Sequence, residues 1–152
     1  PLEEFWDTHF NLHVKAPSIL SAKMAEQKSL KEGLIVNIID QRVWNLNPSF
    51  YSYTLSKSAL WTATKTMAQS LAPKIRVNAI APGPTLANKR QSEADFKKQV
   101  DGLLLGKGPQ LTEFGETILY FWRIKSLTGQ MLALDGGQHL SWETPDIAGI
   151  KE

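Results

Sequence analysis

A tyrosine and a lysine four positions apart are the residues of this chain best suited to acid–base chemistry. Tyr53 and Lys57 bound the run Tyr-Thr-Leu-Ser-Lys, and helical side chains at this spacing lie on one face. An ammonium about 4 Å from a phenol favours the phenolate by up to roughly 4 kcal/mol at an effective dielectric of about 20. The pairing predicts that the pKa of Tyr53 falls towards neutrality, which would make it a general acid. The alternative is an amphipathic helix on which the two residues fall four apart by chance.

The surrounding sequence predicts strands alternating with helices. Helices are expected over residues 5–27, bent or split at Pro17, and over residues 51–71, 92–104 and 112–122; strands are expected over residues 34–39, 75–80 and 129–137. The first strand is a near-continuous apolar run, which is typical of coverage on both faces. This order predicts an α/β fold with a doubly wound parallel sheet. Ligands bind at the carboxyl ends of such strands, where Asp40 and the turn from Pro82 to Thr85 are expected.

The composition excludes several classes of protein. The chain has 152 residues, of which 42% are hydrophobic, so we expect residues 1–152 to form a single domain. It has no cysteine, which excludes disulfides and thiolate chemistry. A net charge of +2 with both signs interspersed predicts no nucleic-acid partner. No apolar run approaches the ~20 residues of a membrane span, so we expect a soluble, cytoplasmic protein.

Five segments together resemble the C-terminal portion of the short-chain dehydrogenase/reductase family. They are Asn11-Leu12 before Ala16-Pro17, the GLIVNI run from Gly33, the stretch Tyr53–Lys57, the IRVNAIAPGPT run from Ile75, and the TGQMLALDGG run from Thr128. The resemblance implies a Rossmann-type fold, an NADPH cofactor (with NADH as the alternative) and an active site of Asn, Ser, Tyr and Lys. Asn11, Tyr53 and Lys57 match three of these, and Asp40 stands in the position of the serine.

The resemblance also implies roles for residues along the chain. Tyr53 and Lys57 would hold the nicotinamide ribose, and Asn11 would anchor a water in a proton relay. Pro82, Gly83 and Thr85 would line the nicotinamide and its phosphates, although a rigid strand-end turn explains them equally well. The segment after Thr85 would form a mobile substrate lid, and its charged residues suit a solvated flap as well: Lys89, Arg90, Glu93 and Asp95.

The aspartate in the serine position favours a particular substrate class. A serine hydroxyl donates to a carbonyl oxygen, whereas a carboxylate only accepts and would raise the pKa of Tyr53. Asp40 therefore suits a substrate with N–H donors or a ring nitrogen to be protonated. Pteridine reductases share this feature, and the stretch Asp40–Trp44 is similar to their bacterial branch, which includes dihydromonapterin reductases. Trp44 would flank a planar substrate; the alternatives are a carbonyl (3-oxoacyl-type) reductase or an acidic residue that merely ends a strand.

The cofactor fingerprint of the family is missing. Only ten residues precede Asn11, and no GxxxGxG occurs, so the glycines that admit a pyrophosphate to a helix N-terminus are absent. We therefore expect part of a longer protein, inactive alone, whose first strand exposes an apolar edge. The family's long helices imply a homo-oligomer, a dimer or tetramer. For this chain by itself, a non-catalytic oligomerisation module is the second hypothesis.

Three histidines receive structural interpretations. His9 and His13 have the spacing of a zinc pair, but Phe10 stands where a hydrolytic zinc helix needs Glu and no third ligand is evident. We therefore expect two helix-surface histidines and no metal site. His139 is expected to serve packing or a subunit contact.

Overall fold

A long helical stretch opens the computed structural model, which describes residues 2–87 and 91–149. It comprises α1 (Leu2–Phe10), a π-helical segment (Asn11–Lys15) and α2 (Ala16–Ala25). Pro17 lies in the first turn of α2, where its missing N–H is best tolerated. The predicted helix is confirmed, and the predicted break at Pro17 is replaced by a wider helical turn just before it.

Three parallel strands form the sheet, in the spatial order β1 (Gly33–Ile38), β2 (Ile75–Pro82) and β3 (Met131–Leu134). Ile35 pairs with Val77, and Ala81 pairs with Ala133. The predicted Rossmann-type α/β architecture is confirmed. Strand β3 is shorter than predicted, and it is followed by Gly136 and Gly137 at φ 62° and 84°, a left-handed conformation that is incompatible with a strand.

Helices connect the strands as the sequence predicts. Helix α3 (Tyr51–Ser70) joins β1 to β2, after two short 3₁₀ turns at Gln41–Val43 and Pro48–Phe50. Between β2 and β3 lie α4 (Glu93–Asp101) and α5 (Leu111–Arg123). A third 3₁₀ turn, Gln138–Leu140, follows β3.

Strand β2 is covered on both faces by these helices. Ile75 and Val77 are buried in one cluster with Ala68 of α3. On the opposite face, Arg76 donates hydrogen bonds to the carbonyl oxygens of Phe121, Trp122, Ile124 and Leu127, at 2.6 to 3.2 Å. The two-sided coverage predicted for β1 therefore describes β2 better. Strand β1 is at the edge of the sheet, and its Ile38 is 46% exposed.

None of the helices in the described residues combines the length and the apolar character that a bilayer crossing requires.

Candidate active site

The carboxyl ends of β1 and β2 open into a cleft of about 1120 Å³. Asp40 follows β1, Tyr53 lies on the first turn of α3, and the turn from Pro82 to Thr85 ends β2. The cleft brings these segments together with others distant in sequence, since it is lined by Asp40, Gln41, Arg42, Phe50, Tyr53, Pro82, Gly83, Pro84, Thr85, Leu86, Gln91, Asp95, Phe96, Gln99 and Gln138. The predicted gathering of strand ends is therefore present.

The carboxylate of Asp40 accepts hydrogen bonds from three donors. The Tyr53 hydroxyl donates to Oδ2 at 2.9 Å. The backbone N–H of Arg42 donates to Oδ1 at 2.8 Å, and its Nη1 donates to Oδ2 at 3.2 Å. The Asp40 and Arg42 side chains are only 14% and 23% exposed. The site thus contains a half-buried ion pair between Asp40 and Arg42, and Tyr53 donates a hydrogen bond to its carboxylate.

The pKa of Tyr53 is shifted in the direction opposite to the one predicted from Lys57. Burial raises this pKa well above its ordinary value, and the charge and the hydrogen bond of Asp40 raise it further, whereas Arg42 opposes them. The predicted lowering is wrong for this structure, because the hydroxyl contacts a carboxylate rather than the ammonium. Lys57 Nζ lies 5.6 Å from the centroid of the tyrosine ring.

Lys57 is buried beside the tyrosine on the next turn of α3. Its Nζ donates to the carbonyl oxygen of Ile38 at 2.9 Å, and the residue is 8% exposed. Burial lowers the pKa of Lys57, and the charge of Asp40 opposes this. An ammonium has three N–H donors, and among residues 2–87 and 91–149 Nζ donates one hydrogen bond, which leaves two donors for a ligand within this part of the chain.

Phe50 lines the cleft in place of Trp44, which was the aromatic residue predicted there. Trp44 does not line the cleft within the described part of the chain; its ring lies 5.2 Å from that of His139. Phe50 lines it instead, and the Arg42 guanidinium lies over the Phe50 ring at 4.4 Å. Phe50 thus takes the place in the cleft that was expected of Trp44, because Trp44, at the end of the 3₁₀ turn after Asp40, packs against His139.

Asn11 lies on the π-helical segment and is exposed. Within the described residues its side chain makes no hydrogen bond. His9 and His13 contact the tyrosine from this helical stretch instead, with ring centroids 5.7 and 5.3 Å from that of Tyr53. The expectation of surface histidines is wrong, since both are half-buried. Only their spacing of four could have indicated a shared face.

The described residues contain no group of three or more His, Asp or Glu side chains that could hold a metal ion. His139 has a structural partner: its Nδ1 lies 2.7 Å from Oδ2 of Asp135, whose side chain is 2% exposed.

The turn after β2 is held tightly against the end of β3. The Gly83 N–H donates to the carbonyl oxygen of Leu134 at 2.8 Å, and a Cβ on Gly83 would lie 2.6 Å from Cα of Asp135. Thr85 Oγ1 donates to the carbonyl oxygen of Gly83 at 3.0 Å. Glycine at position 83 is thus required for packing, and a role in cofactor binding stays a prediction.

Part of the predicted lid lies outside the described residues, namely Lys89 and Arg90. Glu93 and Asp95 lie in the first turn of α4, and Asp95 lines the cleft.

Known proteins match nearly the whole chain. A family model described as enoyl-(acyl carrier protein) reductase matches residues 2–139. Dihydromonapterin reductase from Klebsiella pneumoniae is 31% identical over 146 residues, which are 92% of this chain and 60% of that protein. The FolM alternative dihydrofolate reductase 1 from Brucella suis, in complex with NADP, is 62% identical with a TM-score of 0.92, over 95% of this chain and 59% of that chain.

A more distant match supports the fold alone. An apo SCOR enzyme from Clostridium thermocellum is 24% identical with a TM-score of 0.79, over 91% of this chain and 55% of that chain. The chain spans about 60% of the length of the curated relatives it matches. The sequence motifs, the parallel sheet and these matches agree, and the chain belongs to the short-chain dehydrogenase/reductase family.

Proposed function

We propose that the protein to which this chain belongs is an NADPH-dependent reductase of a pterin-type C=N bond, with Tyr53 as proton donor. The observation that carries this proposal is the hydrogen bond from Tyr53 to Asp40 beside Arg42. A carboxylate accepts hydrogen bonds but cannot donate them, so Asp40 suits a ring that offers N–H groups. The names of two relatives, a dihydromonapterin reductase and an alternative dihydrofolate reductase, support this substrate class.

The proposed proton transfer begins with an exchange of partners. A substrate N–H that bonds to Asp40 competes with the Tyr53 hydroxyl, which then turns to the ring nitrogen. The phenol is protonated at neutral pH, and its raised pKa makes it a weak acid while it is bonded to Asp40. Loss of that hydrogen bond in the exchange removes one cause of the raised pKa, which makes the proton easier to donate. In the balanced reaction the carbon of the C=N bond gains the hydride, and the nitrogen gains the proton of Tyr53.

The residues of the cleft fit the nicotinamide end of a dinucleotide. Lys57 is buried and has two N–H donors without a partner in the described part of the chain, and such donors suit ribose hydroxyls. The Tyr53 hydroxyl and the strand-end residues Pro82, Gly83 and Thr85 line the same cleft. NADPH, when bound, supplies the hydride. Structures of two Brucella relatives in complex with NADP support this choice of cofactor.

A carbonyl reductase of the 3-oxoacyl type is the second candidate. The family model is described as an enoyl-(acyl carrier protein) reductase, which supports an acyl thioester as the substrate class but names a C=C bond rather than a carbonyl as the reacting group. The Asp40 carboxylate disfavours it, since an oxygen that gains negative charge would be repelled. Arg42 offsets part of this repulsion.

NADPH oxidation by the protein at its full natural length separates the two candidates. We expect faster turnover with a dihydropterin than with a 3-oxoacyl thioester, and the reverse order would contradict the proposal. The 152-residue chain alone should not bind NADPH tightly, because it lacks the Gly-rich fingerprint. Micromolar binding in calorimetry would disprove this second expectation.

We also propose a cytoplasmic homo-oligomer, a dimer or tetramer, that forms through the long helices. Leu12, Ile19 and Leu20 on the first helical stretch are 63%, 50% and 69% exposed, and Leu55 on α3 is 38% exposed. Such helix faces favour burial against a second copy. For this chain by itself, that contact would be its sole activity. Light scattering should show a smaller assembly for Leu20→Glu and an unchanged one for Leu46→Glu on a loop.

A further inference from the structure

Two histidines of the first helical stretch are tied to two serines of α3. His9 Nδ1 lies 2.9 Å from Ser52 Oγ, and His13 Nδ1 lies 2.8 Å from Ser56 Oγ. The two histidines are four residues apart on their helix and the two serines are four residues apart on theirs, so the two hydrogen bonds are about one helical turn apart. Tyr53 lies between the serines in sequence. The two imidazole rings are stacked at 5.6 Å, with 9° between their planes.

The tyrosine ring packs edge-to-face against both imidazoles. The planes of Tyr53 and His9 make an angle of 80°, and those of Tyr53 and His13 an angle of 89°. Edge-to-face is one of the two arrangements that aromatic rings prefer. The ring of Tyr53 therefore packs against side chains other than Asp40, which accepts the hydrogen bond from its hydroxyl.

The hydrogen bonds of Ser56 determine which nitrogen of His13 carries the proton. Ser56 is completely buried, and its single O–H donates to the carbonyl oxygen of Tyr53 at 2.8 Å. The serine oxygen must then accept from His13, so Nδ1 carries the hydrogen and Nε2 is bare.

The charge state of His13 fits this packing. Burial and the charges of Lys57 and His9 lower the pKa of His13 to about 4. The imidazole is therefore neutral at physiological pH and adds no positive charge beside Lys57.

We propose that His13, as its Nδ1–H tautomer and supported by His9, is a positioning residue that fixes the ring of Tyr53 for proton transfer. This inference rests on the function proposed above for Tyr53. A tyrosine anchored only through its hydroxyl would lose its orientation when the substrate replaces that hydroxyl at Asp40. The imidazoles hold the ring while this exchange takes place.

Kinetics of the protein at its full natural length test the positioning role. We expect His13→Ala to lower kcat by about 10- to 100-fold, because small misplacements of a reacting group have effects of this size, with KM for both substrates within about 2-fold. His13→Phe, which keeps an aromatic ring, should recover most of kcat. An unchanged kcat in His13→Ala, or a loss confined to KM, would overturn the inference.

A spectroscopic readout tests the inference independently of activity. The ¹⁵N chemical shifts of the imidazole should show neutral His13 as the Nδ1–H tautomer in the wild type. Ser56→Ala should abolish this preference, and Ser58→Ala should preserve it, because Ser58 Oγ donates to the carbonyl oxygen of Thr54 in its own helix. An Nε2–H tautomer in the wild type would overturn the inference. A wild type that turns over no dihydropterin would instead refute the proposed function, and the tautomer would still be measurable.

Discussion

The hydroxyl of Tyr53 lies 2.9 Å from Asp40 Oδ2, and this contact adds to burial in raising the pKa of the phenol. The carboxylate keeps the phenol protonated, and the Arg42 guanidinium compensates the carboxylate. Lys57 is close to the ring but bonds to the backbone of β1. Under the proposed function, Tyr53 donates its proton once a substrate has replaced its hydroxyl at Asp40.

Removal of the Tyr53 hydroxyl should abolish the contribution that proton donation makes to kcat. We expect Tyr53→Phe to lower kcat by roughly 10² to 10⁴, the usual contribution of a positioned general acid. Turnover of NADPH with a dihydropterin measures this. Tyr51→Phe is the matched control, since Tyr51 lies two residues earlier on α3 and is 66% exposed; equal losses in both variants would argue against the assignment.

Neutralisation of Asp40 should lower the pKa of Tyr53. The carboxylate raises that pKa through its charge and its hydrogen bond, so Asp40→Asn leaves burial, which raises the pKa, opposed by the charge of Arg42, which lowers it. Alkaline absorbance titration, with the curve of Tyr53→Phe subtracted, reports the ionisation of this phenol. Asp95→Asn removes another carboxylate of the cleft and should leave the titration unchanged.

Replacement of Asp40 by serine should change the substrate preference. A hydroxyl can donate to a carbonyl oxygen, so the ratio of kcat/KM for a 3-oxoacyl substrate to that for a dihydropterin should rise by about 10-fold or more in Asp40→Ser, the effect of one hydrogen bond of about 1.4 kcal/mol. If the ratio does not change, Asp40 has no part in substrate choice.

The aromatic wall of the cleft can be tested with a pair of substitutions. Phe50→Leu should raise KM for a planar substrate by about 5- to 10-fold, because aromatic contacts are worth roughly 1 kcal/mol beyond their area. Trp44→Leu should change KM by less than about 2-fold, since Trp44 packs against His139. Steady-state kinetics distinguish the two residues, and a larger effect of Trp44 would restore it as the substrate contact.

Substitution of Gly83 should destabilise the fold. An alanine Cβ would approach backbone and side-chain atoms of Asp135 at 2.6 and 2.7 Å, and such overpacking costs about 1 to 3 kcal/mol. Gly115→Ala is the control, because nothing lies within 4 Å of its added Cβ, and it should raise the free energy of unfolding by about 0.5 to 1 kcal/mol in the helix. Urea denaturation measures both.

Acidic pH should weaken the fold through His13. The pKa of His13 is lowered from 6.5 to about 4, so the unfolded chain binds more protons and the free energy of unfolding falls as pH drops through this window. Solvent screening of the half-buried ring reduces the effect to about 1 to 2 kcal/mol. Denaturation at several pH values should show this component in the wild type and not in His13→Phe.

The secondary structure was predictable because its signals are local. The apolar runs and the prolines and glycines that end them predicted all three strands, and β2 (Ile75–Pro82) begins at the residue expected. The i, i+4 spacing predicted that Tyr53 and Lys57 share a face of α3, and the structure places them so. The aspartate at position 40 could also be recognised as a departure from the family pattern.

The partners of these side chains were not predictable, because they depend on how separate elements pack. Asp40 and Tyr53 are 13 residues apart, and His13 and Ser56 are 43 apart, so no local period relates them. Helical spacing suggested that Lys57 would lower the pKa of Tyr53, but burial and the Asp40 carboxylate raise it.

The sequence by itself thus determined the order of strands and helices, the family and the chemical identity of the site residues. Only the tertiary structure decided which of these groups touch Tyr53, because hydrogen bonds and desolvation act over a few ångströms between segments that are far apart along the chain.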